Sequence, residues 1–103
     1  MNWRVQFAPE ALNQLRRLEK RIANSGAPIA AARYVDSIVD FCMKLDTFAA
    51  RGVARDDLLP GLRITHFRKR AIIAYTLETD AVSILGIFYG GQDYEAALAP
   101  EDG

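Results

Sequence analysis

The sequence predicts an α+β domain over residues 1–103, with a helical hairpin packed on one face of a mostly antiparallel sheet. Three observations predict it. Two stretches repeat apolar residues at helical spacing with only three or four residues between them, which favours an antiparallel pair of helices. Three β-rich runs close the chain, separated by three-residue turns that can join only antiparallel neighbours. A chain of 103 residues, half apolar and a quarter charged, has the size and composition of one globular core.

Residues 2–7 alternate, with Trp3, Val5 and Phe7 on one face and Asn2, Arg4 and Gln6 on the other, the pattern of a half-buried strand. Pro9 then suits a first helical turn, and Glu10 complements the positive helix end. Ala11, Leu15, Leu18 and Ile22 carry the apolar stripe of a helix to about Asn24, widened by Leu12. Gly26 stops it and Pro28 starts the next, whose stripe is Ala31, Val35, Ile38, Cys42 and Leu45, broadened by Tyr34, Phe41 and Phe48. Arg33, Asp36, Ser37, Asp40 and Lys44 form its solvated face. Residues 49–61, polar and rich in turn formers, read as a surface loop. Strands follow at Leu62–Phe67, Ala71–Leu77 and Ala81–Tyr89, and Gly90 and Gly91 end the last of them. Asp93 is placed to cap a short helical turn through about Leu98, before an acidic end.

The last two strands are apolar on both alternations. Val82, Ile84 and Phe88 oppose Leu85, Ile87 and Tyr89, while Ile72 and Ala74 oppose Ile73, Tyr75 and Leu77. Strands of that kind are buried on both faces. The helices supply one layer, so either the carboxy-terminal segment or another polypeptide covers the second face.

Composition excludes several classes. One cysteine makes no internal disulfide, no apolar run is long enough to cross a bilayer, and no secretory leader is visible, so the expected location is cytoplasmic. Net charge is zero but uneven, at +4 for residues 1–33, −2 for 34–62, +4 for 63–70 and −6 for 71–103. A dedicated double-helix binder carries excess positive charge overall, so the basic character points to a local contact.

Chemistry is sparse. His66 is the one histidine, no cluster of His, Cys, Asp and Glu has metal-ligand spacing, and no phosphate-loop or dinucleotide glycine pattern is present. No metal and no cofactor are expected. The serines lack a nucleophile elbow, and Cys42 on an apolar stripe reads as a buried thiol. What remains is the basic set Arg63, His66, Arg68, Lys69 and Arg70, with Tyr89 and Tyr94. Guanidinium forks and tyrosine rings suit RNA or an acidic protein, and the same set also reads as a plain solvated turn.

Element order, the segment Ala8-Pro9-Glu10-Ala11, Gly61-Leu62-Arg63, Ala71-Ile72-Ile73-Ala74-Tyr75, and the run from Ile84 through Gly90-Gly91-Gln92-Asp93 together resemble the ParE/RelE toxin superfamily of type II toxin–antitoxin modules. RelE-like members cut mRNA on the ribosome, and ParE-like members poison DNA gyrase. RelE-like nucleases carry an arginine at the start of the third strand and basic residues near the end of the last. Here Ala71 stands at the first place, and no Lys or Arg follows Arg70. Cleavage through a 2′-hydroxyl needs positioned cations and an acid, which an acidic tail opposes. The Gly-Gly-Gln-Asp-Tyr ending resembles the ParE branch.

The resemblance therefore implies a non-catalytic toxin that binds DNA gyrase and is neutralised by a ParD-like antitoxin in a hetero-oligomer. It would meet DNA only indirectly, through that antitoxin, and would meet no membrane. The alternatives are a RelE-like mRNA endonuclease and a non-toxic interaction module. The partner-binding candidates are Trp3, Tyr34, Phe88 and Tyr89 as aromatic anchors, Arg63, His66, Arg68, Lys69 and Arg70 as the basic set, and Gln92, Asp93 and Tyr94 from the ending.

Overall fold

The computed structural model describes residues 4–99. Trp3, expected on the inner face of the first strand, lies outside them. The chain runs β1 (Arg4–Phe7), α1 (Pro9–Asn24), α2 (Pro28–Met43), a single 3₁₀ turn (Lys44–Asp46), β2 (Val53–Ala54), β3 (Leu62–Phe67), β4 (Ala71–Leu77), β5 (Ala81–Tyr89) and α3 (Tyr94–Leu98). The sheet order is β1-β5-β4-β3-β2. β1 pairs parallel with β5, and every other pairing is antiparallel.

Both long helices begin as their sequences require, with proline in the first turn. Their stripes fall on one face of the sheet. Ala11, Leu15 and Leu18 of α1 and Val35, Ile38 and Cys42 of α2 meet Phe67, Ala71, Ile73, Tyr75, Val82, Ile84 and Ile87 in the larger core. Cys42 is fully buried there, and desolvation pushes its thiol pKa up to about 12, which leaves it inert near neutral pH.

Two expectations are corrected. The loop over 49–61 contains a fifth strand, because Val53 pairs with Ile64 and Ala54 with Arg63. Gly52 permits that approach: it has φ +90°, and a Cβ there would lie 2.5 Å from the Ile64 carbonyl oxygen. The alternation along the last strand is interrupted. Ala74 faces Gly86 and Tyr75 faces Ile84, so Leu85 bulges out of the ladder. Val82 and Ile84 consequently share the helix face with Ile87 and Tyr89, and Phe88 shares the opposite face with Leu85.

The open question about that opposite face is settled within the chain. Leu62, Ile64, Ala74 and Phe88 form a second, smaller core beneath Leu58 of the loop, with Tyr94 and Leu98 of α3 packed against it. The carboxy-terminal segment and the loop do the covering, and the argument that the bare face demands a second polypeptide falls.

Candidate functional site

The expected site residues separate into two groups and two isolated positions. The first group gathers where the β3–β4 turn, the end of β5 and the polar sides of α1 and α2 meet. Tyr34 of α2 packs its ring 6.0 Å from Phe67 and 5.7 Å, edge-on, from Tyr89. Its hydroxyl is buried and has no hydrogen-bond partner among the described residues. Burial, and next to it the neighbouring Tyr89, hold the Tyr34 pKa above the ordinary tyrosine value, against an opposing pull from Arg68 and Arg70.

Arg68, Lys69 and Arg70 are exposed at the hairpin tip. The Arg70 N–H donates to the Phe67 carbonyl at 3.2 Å, and the Gly90 N–H donates to the Arg70 carbonyl at 3.1 Å. Arg68 has φ +51° and Lys69 φ +63°, both in the left-handed region that costs a residue with a Cβ roughly 1–2 kcal/mol. The Arg68 guanidinium lies over the Phe67 ring, 4.9 Å from its centroid.

Beside this tip, the edge of β5 runs past the end of β1 and would leave backbone donors open. Gln14 of α1 accepts from the Ile87 N–H at 2.7 Å, and Gln92 accepts from the Tyr89 N–H at 2.8 Å. Two side-chain amides thus stand in for a missing strand. They line a notch with Arg17, Leu18, Arg21, Ile87 and Tyr89, and the Arg21 guanidinium sits 5.9 Å from the centre of the Tyr89 ring. Sequence reading missed Gln14, Arg17 and Arg21. The four-residue step from Arg17 to Arg21 was the available signal, since it stacks both on one helix face.

The second group lies across the sheet at α3. Phe88 is 6% exposed, its ring 6.2 Å from that of Tyr94, so it serves the second core and is not free as an anchor. Asp93 caps α3 by accepting from the Ala96 N–H at 3.0 Å, as its position predicts. Arg55, unremarked in the sequence, organises this corner. It donates to the Tyr94 hydroxyl at 2.9 Å, to both carboxylate oxygens of Asp57 at 2.9 and 2.8 Å, and to Glu95 at 2.7 Å. The hydrogen bonds from Arg55 hold the Asp57 carboxyl below the ordinary aspartate value.

Arg63 and His66 join neither group. The Arg63 guanidinium donates to the carbonyls of Ala50, Arg51 and Gly52 at 2.8, 3.3 and 3.3 Å. The Tyr75 hydroxyl donates to the Ala49 and Arg51 carbonyls beside it, so Arg63 is engaged in fastening the loop. His66 is exposed on β3 opposite Ile72. Among the described residues no group of His, Cys, Asp and Glu is placed to hold a metal. The arrangement offers charged and aromatic surface for docking.

No curated protein matches the chain. Among solved structures, the chromosomal ParDE toxin–antitoxin system from P. aeruginosa superposes with a TM-score of 0.74 at 19% identity, covering 84% of this chain and 95% of that one. The toxin–antitoxin complex RelBE2 from Mycobacterium tuberculosis superposes with a TM-score of 0.62 at 20% identity, covering 87% of this chain and all of its counterpart. These likenesses establish the fold: two helices on an open five-stranded sheet with a short helix at the end. The model of the ParE toxin of type II toxin–antitoxin systems matches residues 5–94, nearly the whole described chain, and the protein belongs to that family.

Proposed function

We propose that this toxin acts by binding DNA gyrase, without catalysis of its own, and that a ParD-like antitoxin holds it inactive in a hetero-oligomer. The observation that carries binding over cutting is at Ala71. Where RelE-like nucleases present an arginine, this chain has a methyl group that is 0% exposed, packed into the larger core against the helices. No side chain at that position reaches a phosphate. His66, the one imidazole, is exposed on β3 and makes no ion pair with a carboxylate among the described residues, whereas an acid–base mechanism needs a partner within hydrogen-bond reach. The antitoxin part of the reading draws support from family membership and from the two toxin–antitoxin complexes that share the fold.

Induction of the chain without an antitoxin tests the reading. Gyrase-linked DNA breaks and loss of supercoiling activity in a purified gyrase reaction are expected. Arrest of translation with new 5′ ends on messages, and DNA left intact, would overturn it in favour of a nuclease.

A further inference from the structure

Basic side chains are concentrated at one end of the strands. The end that holds the β3–β4 turn presents Arg68, Lys69 and Arg70, flanked by Arg33 of α2, which shares a surface hollow with Tyr34 and Arg68. Arg21 of α1 lies beyond Tyr89 on the same side. Among the described residues no carboxylate comes within ion-pair distance of Arg21, Arg33, Arg68, Lys69 or Arg70. The opposite end of β4 runs into Glu78 and Asp80.

The tip is also maintained at a backbone cost. Arg68 and Lys69 occupy the two central positions of a tight turn at positive φ, where Asn-Gly sits without strain. Charged residues with a Cβ at both positions give up stability that a neutral turn would recover. A strained exposed segment of this kind points to a role outside folding.

We propose that the cationic tip is a phosphate-binding surface through which the toxin grips duplex DNA directly, and that in the cell this is the DNA that gyrase holds. The setting rests on the gyrase reading, and the direct contact departs from the expectation that DNA is met only through an antitoxin. Residues 68–70 and the neighbouring His66 are all polar, and Ile29 is the one large exposed apolar side chain in the hollow beside them. A protein interface draws its affinity from buried aromatic and aliphatic anchors, whereas a phosphate polymer is held by charge alone. Four of the five unpaired cations are arginines, whose forks fit phosphate oxygens. Tyr34, Phe67 and Tyr89 are packed against one another, so they offer no free stacking platform for single-stranded bases. Zero net charge, with the Asp40 carboxylate of α2 lining a hollow beside Arg68, makes such binding local and strongly salt-dependent.

The test is fluorescence anisotropy of the full-length chain with a labelled blunt DNA duplex, with neither gyrase nor antitoxin present. Three phosphate contacts predict that affinity falls about 40-fold between about 50 and about 200 mM salt. Arg68→Asn/Lys69→Gly should raise the thermal unfolding midpoint by about 5 °C, since relief at both left-handed positions outweighs the greater freedom that glycine gives the unfolded chain. It should also weaken duplex binding by about tenfold and lower the salt slope by about two. Absence of duplex binding at low salt, or equal binding by the double variant, overturns the inference. So does binding of poly-glutamate in place of DNA, which would assign the tip to an acidic protein. A double variant less stable than the wild type overturns the strain premise. A chain that binds duplex yet leaves gyrase supercoiling untouched overturns the gyrase reading alone, and one that blocks supercoiling while ignoring DNA overturns this inference alone.

Discussion

The two faces of the sheet are sealed by different physics. On one, two sixteen-residue helices lay continuous apolar stripes across β4 and β5, and Ile38, Ile73, Ile84 and Tyr75 are all 0% exposed. On the other, a single loop leucine, Leu58, and a five-residue helix with no buried residue of its own close over Leu62, Ile64, Ala74 and Phe88. A helix that short has no independent stability, so its position comes from Asp93 at its start and from the hydrogen bonds of Arg55. One face is held by area and the other by a few directional bonds. The first should therefore yield only with the whole molecule, and the second should open by itself.

Truncation on the helix face is the strongest way to break this contrast. Ile38→Ala should cost about 3–5 kcal/mol, since the surrounding helices and sheet cannot collapse into the space, and chemical denaturation should show one cooperative transition. Leu58→Ala on the opposite face should cost about 2 kcal/mol, because the loop can settle onto Leu62 and Ile64. If the two losses were equal, the second face would be as rigid as the first and the contrast would fail.

The better-packed face was also the more legible. Stripes such as Leu15, Leu18, Val35 and Ile38 repeat with the helical period, and the three late strands were readable to the residue because the turns between them are short and charged. β2 was not readable, since two residues carry no period and its pairing depends on Gly52 lying against Ile64. Nor was the bulge at Leu85, because a strand apolar on both sides looks the same in either register. At the site, Arg68-Lys69-Arg70 was visible as a charge run. That Arg63 is spent on loop carbonyls and Phe88 on a core follows only from tertiary contacts far along the chain. Arg17 and Arg21 were not legible as site residues, because nothing local marks them as lying beside an open strand edge.

The bulge allows a finer test of how the second face is packed. Gly86 lies beneath Phe88, and a Cβ at Gly86 would come 2.8 Å from the Phe88 ring. Gly86→Ala should therefore push the ring toward Tyr94 and cost about 1–2 kcal/mol, less than truncating a helix-face isoleucine. Stronger nuclear Overhauser contacts between the Phe88 and Tyr94 rings would show where the strain goes. An unchanged ring pair and an unchanged midpoint would mean that the second face has spare room.

The smallest global effect, and the sharpest local one, belongs to Arg55. Arg55→Met keeps an unbranched apolar stem but removes the bonds to Tyr94, Asp57 and Glu95. Amide exchange at Ala96 to Ala99 should accelerate by about tenfold or more, while the amides of β4 and β5 keep their protection. The same opening should be reachable with acid. The folded Asp57 carboxyl titrates below the ordinary value of about 3.9, so its contribution is complete above that pH and is lost as pH falls through the depressed folded value. Exchange at α3 in the wild type should thus rise in that acid window, and the Asp57→Asn variant should show a smaller rise, the remainder coming from the Asp93 and Glu95 carboxylates. If the sheet amides opened in step with α3 in either experiment, the two faces would form one cooperative unit, and bonds from a single arginine would be holding far more than a short helix.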